Sequence, residues 1–292
     1  REVGGLPEAP RLSNFRLSPD ETQLALTHTG PEGVELWVVE LASAKARRLS
    51  QGPLNANMGN PIQWFKDSGS LLVKMLPGDR QPLVDRAEKV PEGPTVSTND
   101  GKKAQNRTYQ DLIKNPDDAF NFEQLARSEL HQVGLDGNSK LWKEAALYRG
   151  LNFSPDGSYL LAVTVEKPFS YLVPYTRFPS RTAIYTREGQ EVTTLLEVPL
   201  IEDLPKGFMA VREGMREIGW RHDKPASLVY VEALDGGDPA REVPFRDDDL
   251  IYLFSDGYVD QMAKKTGAEH WSPEDSRPQR CEERFNPCQQ FS

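Results

Sequence analysis

The sequence predicts an all-β protein, a partial β-propeller of antiparallel four-stranded blades with a polar, partly helical insertion. Three observations predict it. One turn-and-strand motif recurs four times, its spacing is close to that of propeller blades, and the composition is turn-rich, with 22 Gly and 23 Pro in 292 residues. The motif is an aromatic or apolar residue, a polar turn with Asp, then a short apolar strand. It appears as Phe15-Arg16-Leu17-Ser18-Pro19-Asp20 before Gln23–Leu26, and as Trp64-Phe65-Lys66-Asp67-Ser68-Gly69 before Leu71–Val73. It returns as Asn152-Phe153-Ser154-Pro155-Asp156-Gly157 before Tyr159–Val163, and as Trp220-Arg221-His222-Asp223 before Leu228–Val231. Each copy reads as a β-hairpin, because Pro presets the second turn position, Asp hydrogen-bonds the turn backbone and Gly supplies a positive φ.

Aligned on Ser18, Lys66, Ser154 and Arg221, the copies lie 48, 88 and 67 residues apart. With blade periods of about 40–50 residues, the first spacing is one blade and the second about two. Partner strands stand between the turns: Val34–Val39, Thr182–Tyr185 and Val192–Leu196 are β-branched or aromatic and bounded by Gly or Pro. Glu40–Leu49 reads as the end of a third strand, a turn and the start of a fourth. An antiparallel sandwich with good turns is the competing architecture. The stretch from Gly78 to Arg127 breaks the rhythm and is expected to be an insertion between or within blades. Its run Asp117–Ala126 predicts a short helix with Asp117 as the cap.

Several classes are excluded. Hydrophobic residues make up 37% and 26 residues are aromatic, enough for a sizeable core. No window approaches 18 uninterrupted apolar residues, so no membrane span is expected. A net charge of −9 with no clustered basic face argues against nucleic acid as a partner. Both cysteines, Cys281 and Cys288, lie in the last dozen residues, where they form neither a disulfide framework nor a metal knuckle. The sequence starts at Arg1 with no apolar signal core, which suggests a removed targeting segment or an internal fragment.

Catalytic signatures are missing. There is no Gly-x-Ser-x-Gly elbow, Walker loop, Gly-x-Gly-x-x-Gly or His-Glu-x-x-His, and His28, His131, His222 and His270 are scattered. No catalytic residue, metal site or cofactor is therefore expected. The segment Lys167–Pro179 packs four aromatics, three prolines and two cations into thirteen residues. It reads either as a rigid loop crossing between blades, with aromatics filling the interface, or as a binding element. In the second reading Tyr175 and Arg177 are the candidate substrate-binding residues, Arg177 holding a peptide carboxylate by its guanidinium fork.

Glu92–Ser97, Gly101–Leu112, Lys167–Pro179, Ala210–Gly214, Gly219–Ala226 and Glu232–Pro239 together resemble the N-terminal region of glutamyl endopeptidase-like serine peptidases, a branch of the prolyl oligopeptidase family. The resemblance runs from about Leu12 to Arg246. It implies a propeller that screens the active site of a following α/β-hydrolase domain, with peptides as substrates. That domain is missing from this chain, so the expected function is a substrate-gating propeller fragment of a serine-type endopeptidase, inactive alone. The alternative is a stand-alone propeller that binds peptides or proteins. The resemblance suggests a secreted, periplasmic or organellar setting without fixing it.

Residues 247–292 are expected to form a separate aberrant or disordered tail. Within it, Asp249–Gln261 resembles a strand-turn of metal-dependent serine/threonine phosphatases, in which Asp256 would help hold a metal. The simpler reading, and the one taken, is one more apolar strand with an Asp-Gly turn.

Overall fold

The computed structural model describes residues 2–85, 109–205 and 209–241. The expected tail from residue 247, Asp256 with it, lies outside the described residues. The chain divides into two compact units. The larger holds the described residues up to 202 together with 222–226, and the smaller holds the rest.

In the larger unit three consecutive four-stranded meanders are formed, as the repeats predict. The first is β1 (Leu12–Leu17), β2 (Gln23–Gly30), β3 (Gly33–Glu40) and β4 (Lys45–Arg48), hydrogen-bonded in that order. The next two share one sheet through β5 (Ile62–Trp64), β6 (Ser70–Met75), β7 (Ser128–Gly134), β8 (Ser139–Phe153), β9 (Tyr159–Val165), β10 (Ser180–Thr186) and β11 (Glu191–Val198). The long β8 serves both. Its residues up to Ala146 pair with β7, and from Leu147 onward it pairs with β9. It is thus the last strand of one blade and the first of the next.

This connectivity corrects the spacing argument. The 88 residues between the second and third motifs are one blade, not two, because residues 76–127 are inserted between β6 and β7. The insertion lies within a blade. Its helix α1 (Pro116–Ala126) is capped by Asn115, whose side chain accepts from Asp118 N. Asp117 is not the cap but a first-turn residue, where its charge suits the helix dipole. Pro116 at the first helical position fixes this frame.

The Asp turns form as expected. Ser18 Oγ donates to Asp20 Oδ1 at 2.6 Å while the Thr22 and Gln23 amides donate to Asp20 Oδ1 and Ser18 Oγ. Ser154, Asp156, Ser158 and Tyr159 repeat the arrangement atom for atom. Asp67 accepts from Gly69 N in the middle copy, but there Phe65 rather than Lys66 occupies the position of Ser18, because Phe65 N pairs with Ser70 O. The hydroxyl of Ser18 foremost, then the Thr22 amide, holds the Asp20 carboxyl below the usual range. Neighbouring turns also touch. Asp20 N donates to Ser68 Oγ at 3.1 Å, and Trp64 Nε1 reaches Arg16 O at 2.9 Å.

Two cores lie between the blades. Ala25, Leu36, Val38, Ile62, Leu71 and Val73 fill the first, and Phe65, Leu72, Leu130, Leu151, Leu160 and Tyr185 the second. Strand β6 supplies both, since successive side chains point to opposite faces. Its first five residues are all buried. The smaller unit contains the fourth hairpin, β12 (Arg216–Trp220) with β13 (Leu228–Val231), Trp220 opposite Leu228.

Gly157 tests the turn assignment. Its φ is +78°, and a Cβ there would lie 2.4 Å from Lys66 Cβ. Gly157→Ala should destabilise by about 1–3 kcal/mol. Gly78→Ala, in open space at an ordinary φ, should stay within about 0.5 kcal/mol in the same urea titration.

Candidate functional site

The connections after β6 and β9 are the second-to-third strand links of adjacent blades. They meet at the end of the blades away from the Asp turns. A third core forms there, from Met58, Ala126, Leu147, Val165, Val173 and Phe178, with Phe122 and Phe169 packed on it. Phe122 of α1 stands edge-on to Phe169 and Phe178, with ring centroids 5.1 and 5.8 Å away, while Phe169 and Phe178 stack at 5.3 Å. Three of the four aromatics in a proline-bounded loop, Phe169, Tyr175 and Phe178, thus pack against a helix from the neighbouring blade. The Lys167–Pro179 loop does not cross between blades. It joins β9 to β10 within one blade, and its aromatics fill the contact with the inserted helix.

Polar groups fix both links. Asn55 Nδ2 donates to the Leu125 and Arg127 carbonyls at 2.9 and 2.8 Å, and Arg127 makes a two-pronged pair with Asp79. Lys167 Nζ meets Glu123 Oε2 at 2.8 Å, and Ser170 Oγ donates to Glu202 at 2.6 Å. Outside this anchored base, Tyr171, Leu172 and Tyr175 remain 46%, 65% and 40% exposed.

Tyr175 and Arg177 occupy a single 3-10 turn. The Tyr175 ring lies 6.1 Å from Phe122, and the Arg177 guanidinium stands 5.3 Å over the ring of Tyr109. The Arg177 carbonyl accepts from Ile201 N at 3.0 Å, which ties the turn to the strand exit beyond β11. The two expected residues are thus neighbours on a held turn at the blade end.

Three groups beside them escaped the sequence reading. Lys74 is 1% exposed, its Nζ donating to Met58 O and Tyr148 O at 2.6 Å each. Burial brings its pKa down to about 8. Tyr109 has a buried phenol oxygen without a hydrogen-bond partner. Arg149 follows Tyr148 on β8 and donates through Nη1 to Thr176 O at 3.3 Å. Only Arg149 left a trace in the sequence, an Arg-Gly pair interrupting an apolar strand, since Gly inside a strand often marks a bulge.

No group of three potential metal ligands occurs among the described residues. One hydroxyl–imidazole–carboxylate line does. Ser139 Oγ is 3.0 Å from His131 Nδ1, and His131 Nε2 is 3.0 Å from Glu129. Alternating ladder positions on β7 and β8 produce it, and the ring is reversed relative to a peptidase relay, in which Nε2 faces the serine. Fluorophosphonate should leave this chain unlabelled; mass spectrometry finding a modified Ser139 would contradict the assignment of the line as a surface ladder.

Lys74 has a measurable signature. A lysine whose pKa is lower folded than unfolded binds more protons unfolded, so stability rises as pH climbs from about 8 to about 10.5. Compared with Lys74→Met, the wild-type chain should gain up to about 3 kcal/mol across that interval in urea midpoints. Parallel pH curves for the two would be inconsistent with a buried ammonium.

No protein-family profile matches the chain. Curated relatives do. It is 36% identical over 261 residues to the probable chloroplastic glutamyl endopeptidase of Oryza sativa subsp. japonica, covering 86% of this chain and 27% of that protein. It is 36% identical over 265 residues to the protein of the same description in Arabidopsis thaliana, covering 87% and 27%. The chain therefore spans about a quarter of the length of these relatives. Among solved structures, it is similar to an acylaminoacyl peptidase from Pyrococcus horikoshii, with TM-score 0.41 and 13% identity over 75% of this chain and 28% of that one. It is also similar to a putative TolB from Agrobacterium tumefaciens, with TM-score 0.39 and 11% identity over 67% and 51%. With its successive four-stranded antiparallel meanders, this chain is thus similar, over most of its own length, to about a quarter of two curated glutamyl endopeptidases.

Proposed function

We infer that this chain is the substrate-gating propeller of a serine-type glutamyl endopeptidase and works with an α/β-hydrolase domain. The observation that carries this reading is the 36% identity extending over 86% of the chain but only 27% of the rice relative. The blade end supports it. Two long connections are built out on adjacent blades, anchored by an aromatic core and edged with exposed aromatic and cationic groups, a surface suited to extended peptides. Tyr175 and Arg177 are the contacts for an acidic side chain, Arg177 through its guanidinium and Tyr175 through its phenol. In this reading the propeller limits which peptides arrive, and the bond is cleaved elsewhere.

A stand-alone peptide-binding module is the second reading, favoured by the exposed Tyr171 and Leu172. It requires peptide binding by the chain alone that is as tight as with a hydrolase domain present, whereas a gate binds measurably but more weakly by itself.

The test fuses residues 12–246 to the hydrolase portion of the rice relative. Arg177→Ala in this fusion should lower kcat/KM for cleavage after acidic residues roughly ten- to a hundredfold, the effect of one charge-assisted hydrogen bond of about 1.5–3 kcal/mol. A variant with a lower melting temperature and unchanged preference among peptides would show Arg177 to be a packing residue only.

A further inference from the structure

Strand β8 changes partner at Ala146–Leu147, and immediately afterwards its register slips: Tyr148 pairs with Thr164, but Gly150 pairs with Val163. Arg149 is the extra residue of that bulge. A bulge takes one side chain out of the in-and-out alternation and re-aims it, and bulges are concentrated beside functional sites. The backbone here is held closely. Gly59, at φ +67°, comes so near that a Cβ would lie 2.8 Å from Arg149 O, so the bulge is fixed from behind by the connection between the first two blades.

The side chain is half-buried and leans toward the 3-10 turn, where Nη1 meets Thr176 O. That uses one of the five N–H donors of a guanidinium. Several other arginines of this unit face carboxylates: Arg48 with Glu35, Arg127 with Asp79, Arg187 with Asp67. Arg149 has no carboxylate within 4 Å among the described residues, and burial holds its pKa below the usual guanidinium range. A partly desolvated cation without a counter-charge is costly, and an arriving anion would relieve the cost. Beside the same turn, under the guanidinium of Arg177, lies the ring of Tyr109, whose phenol oxygen is buried without a partner.

We propose that Arg149 is the anchor of a carboxylate-binding subsite, taking the side-chain carboxylate of an acidic peptide at the 3-10 turn. The proposal rests on the peptide-handling role inferred above and makes Arg149 the specificity-determining cation beside Arg177.

Calorimetric titration of the chain with two probes, acetyl-Ala-Ala-Glu-amide and acetyl-Ala-Ala-Gln-amide, tests it. The wild-type chain should bind the Glu peptide at least tenfold more tightly. Arg149→Gln should weaken the Glu peptide about ten- to a hundredfold and leave the Gln peptide unchanged. Arg149→Lys should keep part of the preference. Should Arg149→Gln not fold, raising the salt on wild-type protein decides instead, because a charge-based preference must shrink with ionic strength. Binding of both peptides with equal affinity, or a preference that survives Arg149→Gln or high salt, overturns the assignment of Arg149 and leaves peptide handling intact. Binding of neither peptide overturns both.

Discussion

A four-stranded blade has two faces and cannot bury either by itself, and everything in the larger unit follows from how β6 meets that constraint. Leu71 and Val73 enter the core shared with the first blade, and Leu72 enters the core shared with the third. The middle blade is therefore packed from both sides, like the inner repeat of a solenoid, and the stability of each blade is tied to that of its neighbours. Lys74 continues the same alternation. It falls on the face toward the third blade, where an apolar residue would complete the pattern, and its ammonium is satisfied by two carbonyls rather than by a carboxylate.

That choice has a structural effect at the blade end. Met58 O belongs to the connection entering the second blade and Tyr148 O to the start of the third. One cation thus spans two chain crossings. Removing two carbonyls from water without partners is costly, on the order of 1–3 kcal/mol each. A lysine reaching both avoids that cost and positions the backbone from which Arg149 projects. The buried ammonium and the bulged arginine are adjacent parts of one junction, the first fixing the backbone and the second exposing chemistry.

The opposite end of the blades is quieter. Short turns close there on Asp20, Asp67 and Asp156, each accepting from a backbone amide two residues on. Tight turns keep that end rigid and let the other carry the long excursions. Asymmetry of this kind suits the proposed gate: a fixed frame on one side and, on the other, loops whose exposed side chains can meet a peptide without disturbing the cores.

The sequence by itself determined the hairpins, the order of strands within the first blade, the inserted helix and the aromatic loop. All of these depend on neighbours a few residues apart, through turn stereochemistry and period-two alternation. Its misreadings have one source. By blade length the 88-residue interval equals two blades, but only strand pairing shows that β7 follows β6 across residues 76–127. Asp117 looked like a cap because local composition does not fix helix frame, which Asn115 and Pro116 decided. Tyr175 and Arg177 were legible as an unusual composition. Arg149, Lys74 and the orphan phenol of Tyr109 were not, because their character comes from burial and from partners 16 to 74 residues away, such as Met58 and Tyr148 for Lys74. Tertiary structure alone decides such matters, since the cost of a buried charge and the direction of a bulged side chain are set by what the fold brings against them.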